Sequence, residues 1–209
     1  EKDTVQFPTW PESQYLARMA SQAPKVVLET ILQIPDTENI RVHEDFADAA
    51  CAMPPELAAR WAKKETSWIA RQDHLYWLLP EKLGALVSHL ARGGLGDEGL
   101  GIAHALLAVL PGTSATVEIG EDEPYRLPPE PQARFDTWDY EQVLKKHIPD
   151  LVTVAGERTL EMLCGLLRDA VRFSQSSKGP HDFSYIWRPA IEDHSQNHPG
   201  GLKDALVSA

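Results

Sequence analysis

Pro80-Glu81-Lys82-Leu83-Gly84-Ala85-Leu86-Val87-Ser88-His89-Leu90-Ala91-Arg92-Gly93-Gly94 is followed at once by Leu95-Gly96-Asp97-Glu98-Gly99-Leu100-Gly101-Ile102-Ala103-His104-Ala105-Leu106-Leu107. Both halves repeat apolar residues at helical period: Leu83, Leu86, Val87 and Leu90 in the first, Leu100, Ala103, Leu106, Leu107 and Leu110 in the second. Proline opens the first half, where its missing N–H would have no intrahelical partner anyway. Gly93-Gly94 closes it, Asp97 is the expected cap of the second, and Pro111-Gly112 ends that. So short a connection makes the two helices antiparallel neighbours.

The same grammar extends upstream. Pro11-Glu12-Ser13 opens a segment with Tyr15, Leu16, Met19 and Ala20 on one face, and Pro24 opens another with Val27, Leu28, Ile31 and Leu32. After Pro35, the cap candidates Asp36, Thr37 and Asn39 precede a stripe of Val42, Phe46, Ala49, Ala50 and Met53. Pro54-Pro55 starts a fourth helix carrying Leu57, Ala58, Trp61, Ala62, Trp68 and Ile69, and Arg71 to Leu79 connects it to the fifth. Downstream, the period changes. Ala115 to Ile119 alternates with period 2 and Tyr125 to Leu127 can return as a second strand, so 113–131 is expected to be a small non-helical insertion. Helical pattern resumes near Asp136-Thr137 with Trp138, Val143, Leu144 and Ile148. Pro149 is expected to interrupt it, and Gly156 precedes a last strong helix with Leu160, Leu163, Leu167, Ala170 and Val171. Ser174 to Pro180 reads as a loop, Phe183 to Trp187 as extended, and Pro189 as the start of a short helix.

These 209 residues carry 20 Lys and Arg against 31 Asp and Glu, a net charge of −11. That balance argues against binding to nucleic-acid phosphates or to an anionic membrane surface. The short basic clusters Lys63-Lys64, Lys145-Lys146 and Arg168 with Arg172 are flanked by acids, which marks them as solvated helix faces. No apolar run approaches the roughly 18 residues that cross a bilayer, and no signal peptide is visible. Cys51 and Cys164 sit in apolar helical patterns and are expected to be buried free thiols, consistent with a cytoplasmic protein. The closing stretch Leu202 to Ala209 reads as an amphipathic helix without a stop signal. The chain is therefore expected to be a fragment of a longer protein, with a flexible segment 1–9 and one helical-repeat domain over 10–209.

Helix starts at Pro24, Pro54 and Asp97 lie 30 and 43 residues apart. Paired antiparallel helices at such spacings stack as an α-solenoid, because each pair buries its stripe on the next. In pair length, in helix-opening prolines and in Leu/Val/Ala stripes, residues 10–110, and more loosely 136–175, resemble the HEAT and armadillo-like superfamily. The resemblance implies an all-α fold of irregular antiparallel helix pairs and carries no functional residues with it.

The expected function is that of a helical-repeat scaffold or interaction module for a protein or peptide partner. Phe183, Tyr185, Trp187 and Arg188 are the candidate partner-binding residues, since aromatics and arginine are enriched at interfaces. The alternative is an all-α enzyme or small-ligand binder with a polar site near 181–198. His194 and His198 there have the spacing of two helical metal ligands, but Pro199-Gly200-Gly201 follows at once, and no metal or other cofactor is expected. His43-Glu44-Asp45 reads as a polar cluster complementing a helix N-terminus rather than as an acid–base site. Gly93-Gly94-Leu95-Gly96 lacks the strand and lysine of a nucleotide loop.

Overall fold

The computed structural model describes residues 7–111 and 132–173, the backbone of 116–117 and 125–126, and a helical turn at 205–207. Among the described residues eight helices of two turns or more follow one another: α1 Pro11–Met19, α2 Pro24–Gln33, α3 Ile40–Ala52, α4 Pro55–Ile69, α5 Leu79–Arg92, α6 Gly96–Leu107, α7 Thr137–Lys146 and α8 Ile148–Phe173. The expected hairpin is present as one small rung. Thr116–Val117 (β1) pairs antiparallel with Tyr125–Arg126 (β2), Thr116 opposite Arg126. Otherwise the fold is all-α. Among the described residues no helix is long and apolar enough to cross a membrane.

Alternate helices touch, α1 with α3, α3 with α5, α5 with α7, and α2 with α4, α4 with α6, α6 with α8, while α5 packs at least as extensively on its sequence neighbour α6 and also packs on α8. Polar ties record the register. Pro8 and Asn39, then Ser13 and Asp45, bond across 31 and 32 positions. Glu44 with Leu78, Asp48 with Lys82 and Met53 with His89 bond across 34, 34 and 36. Glu29 with Arg60 and Ile34 with Lys64 span 31 and 30. The step rises to 59 between Ser88 and His147 because the 113–131 insertion intervenes.

Local sequence explains most boundaries. Prolines stand in the first turns of α1, α2, α4 and α5. Of the three cap candidates before α3, Asn39 does the work, accepting the Arg41 N–H at 3.1 Å. Asp97 does not cap α6; the helix starts at Gly96 and Asp97 lies in its first turn. The helical run is interrupted beside Pro149 as expected: α7 ends at Lys146, α8 begins at Ile148, and Pro149 falls in the first turn of α8. A second break comes at Ala155, where φ −148 and ψ 48 leave the helical region. Before it, Asp150 pairs with Arg92 of α5; after it, Arg158 pairs with Asp97 of α6.

The stripes of α2 to α6 fill one continuous core. Leu106 and Leu163 are buried. Tyr15, Trp138, Leu160 and Val171 are instead exposed. The buried position of α1 is Ser13, which a hydropathy stripe does not mark.

Candidate functional site

Three consecutive residues of α3 tie it to three different neighbours. Asp45 accepts the Ser13 hydroxyl of α1 at 2.5 Å. His43 meets Glu65 of α4, its Nδ1 lying 2.8 and 2.9 Å from the two carboxylate oxygens. Glu44 accepts the backbone N–H of Leu78, at the head of α5, at 3.1 Å. His43 and Glu44 are buried and lie beyond the first turn of α3, so the reading of this cluster as a complement to a helix N-terminus is corrected.

His43 is held on every side. Its Nε2–H donates to the Thr37 carbonyl at 2.9 Å, and its ring stacks on Trp68 with centroids 3.6 Å apart. Burial alone would lower its pKa. The hydrogen bond and charge of Glu65, the Thr37 carbonyl and the charge of Glu38 outweigh burial, and the ring titrates above its ordinary value. Burial likewise pushes the Glu65 carboxyl upward. The two shifts have one sign: the pair holds its proton more tightly than the separate side chains do. The space beside it is only about 10 Å³, too little for a substrate. The pair is a buried tie between helices.

Glu44 builds something outside the core. Its second oxygen accepts from Arg41 at 2.9 Å, and the Arg41 guanidinium lies 4.1 Å from the centre of the Trp77 ring. Trp77 takes φ +54, a left-handed conformation costly for a bulky residue. Phe7 meets its edge at 5.1 Å and lies 5.9 Å from Tyr76. On the other side Leu75 is buried, and its N–H donates to the Arg134 carbonyl at 2.6 Å. Arg134 in turn donates to the Ala105 carbonyl of α6. Between these anchors Tyr76, Trp77 and Leu78 stay 42%, 46% and 52% exposed. The connection from α4 to α5 is thus an aromatic shelf with a fixed backbone.

A second concavity lies between α4 and α6, about 620 Å³ in volume, with Ala59, Leu95 and Gly101 in its lining. Among the described residues no group of three or more His, Cys, Asp or Glu is placed to hold a metal.

Phe183, Tyr185, Trp187 and Arg188, the whole 181–198 cluster and both of its histidines lie outside the described residues. His89 donates to the Met53 carbonyl at 2.8 Å, and His104 is exposed. Lys64 and Lys145 are committed to intramolecular partners. Cys51 is half-buried, and burial, with help from Asp48 against Lys82, pushes its thiol up to about 11. Cys164 is exposed, which corrects the expectation of two buried thiols. The sequence did hold a signal for the shelf: Tyr76-Trp77-Leu78 places three large apolar residues in a connection, where helical period gives them no core to face.

No family model, no curated protein and no solved structure matches the chain.

Proposed function

We propose that this chain is a protein-interaction module of a cytoplasmic protein, built as a HEAT-like α-solenoid, and that the shelf of Tyr76, Trp77 and Leu78 receives an apolar segment of a protein partner. Two features support the solenoid: alternate helices touch, and polar ties recur every 30 to 36 residues through α5. One observation carries the binding role. Trp77 is kept in a costly backbone conformation by a buried carboxylate and a stacked guanidinium, yet its ring is left half-exposed. Strain maintained at a surface marks function, and Trp, Tyr and Arg dominate interface hot spots. A shelf fixed in advance loses little freedom on binding.

The test is affinity capture from cells of the source organism with wild-type and Trp77→Gly baits. Glycine suits the left-handed backbone, so this change removes the ring without adding strain. A partner retained by the wild type and lost by a folded Trp77→Gly bait is the expected result. Identical partner sets would refute the role of the shelf.

A further inference from the structure

The concavity between α4 and α6 is separate from the shelf and has its own chemistry. At one end the turn that closes α5 packs on the start of α4, since a side chain at Gly93 would stand 2.4 Å from the Pro55 ring. From there α4 and α6 leave a groove of about 620 Å³ whose lining includes Ala59 on α4 and Gly101 on α6. Nothing lies within 4 Å of where a Gly101 side chain would begin.

Charge is sorted along this groove. Glu56 in the first turn of α4 and Glu98 in the first turn of α6 stand where the two helices begin. Lys63 lies seven residues beyond Glu56, about 10 Å along the helix at 1.5 Å per residue. Two other charged liners are already occupied: Arg60 pairs with Glu29, and Asp97 with Arg158. Glu56, Glu98 and Lys63 make no ion pair among the described residues.

We propose that the groove binds a linear segment of a partner protein in polyproline II conformation, with a basic side chain at Glu56 and Glu98 and an acidic one at Lys63. The span fits this geometry: three residues of polyproline II advance about 9 Å and return the side chain to the same face, matching the separation of the charges. Small apolar side chains, proline included, sit between the charges over Ala59 and Gly101. The volume lies within the usual range of ligand sites, and the opposed charges set register more than affinity.

The experiment is selection of a random linear peptide library on the purified protein. The expected motif has a basic and an acidic residue three positions apart, in either chain direction. Gly101→Leu has room for its new side chain, so its melting temperature should stay near that of the wild type while the selected peptide binds about tenfold more weakly or worse. Selection on Lys63→Glu should return peptides basic at both positions. No enriched motif, a motif without that charge pair, an affinity unmoved by Gly101→Leu, or an unchanged motif on Lys63→Glu would each overturn the proposal.

Discussion

His43 of α3 and Glu65 of α4 face each other across a 2.8 Å hydrogen bond, both buried. Each is nearly covered, and each leaves the other with a costly unpaired charge if removed. Glu65→Gln should therefore destabilise the protein by ~3–5 kcal/mol, the range found when one partner of a buried pair is lost. Burial is then opposed only by the Thr37 carbonyl and the charge of Glu38, and the pKa of His43 should fall. Urea melts and histidine titration by NMR measure both effects.

The pair also sets a pH dependence. His43 titrates above its unfolded value of 6.5, so the folded state binds its proton more tightly than the unfolded chain. The resulting stability is complete below 6.5 and is lost as pH rises through the higher folded value. Urea midpoints measured from about pH 6 to 9 should fall on the alkaline side for the wild type. Glu65→Gln should lack that limb.

At Trp77 the usual ranking of substitutions should invert. Alanine ordinarily outranks glycine in stability because it has fewer unfolded conformations to lose. Trp77 has φ +54, where an alanine keeps the left-handed penalty of ~1–2 kcal/mol and a glycine does not. Both variants lose the same contacts with Phe7 and Arg41. Trp77→Gly should thus be more stable than Trp77→Ala by ~1 kcal/mol, as read from chemical denaturation. The opposite order would show that the backbone here carries no strain.

Much of this fold was legible because proline and apolar period agree at the starts of α1, α2, α4 and α5. The site was less legible, for a reason visible in α3. Hydropathy marks Val42 and Phe46 as core, and it marks His43, Glu44 and Asp45 as surface. Their real partners are Glu65, the Leu78 N–H and Ser13, between 22 and 34 positions away. A buried polar residue is justified by a distant partner, which a local pattern does not contain. Trp138, Leu160 and Val171 show the converse, apolar residues in phase with a stripe and still exposed. Period assigns a face to a helix, and only the neighbours decide how wide that face is.

Two glycines on neighbouring helices should respond in opposite ways to one added methyl. A Cβ at Gly84 would stand 2.5 Å from Cδ2 of His147, whose Nδ1 accepts from the Ser88 hydroxyl at 3.0 Å. Burial, with the charge of Lys146, lowers the pKa of that ring, which keeps it neutral and able to accept. Gly84→Ala should cost ~1–3 kcal/mol, the usual effect of overpacking. Gly101 sits in α6 with open space beside it, so Gly101→Ala should raise stability by ~0.5–1 kcal/mol through helix propensity alone. Paired thermal melts decide both.

Removal of residues 1–35 is the sharpest test of the stacked arrangement. α1 and α2 pack mainly on each other and on α3 and α4, and not on the helices further along. In a solenoid, stability is close to a sum over units and their nearest-neighbour interfaces. The shortened chain should then keep α3 to α8 folded, with far-UV circular dichroism still helical and a cooperative melt at lower temperature. It should lose the Ser13 tie to Asp45 and the cover that Phe7 gives Trp77, while the His43–Glu65 pair keeps both of its helices. The alkaline fall in stability should therefore survive the truncation. A single cooperative bundle behaves differently, because removing two of its helices exposes a core shared by all of them. A truncated chain with no cooperative melt would replace the solenoid with such a bundle.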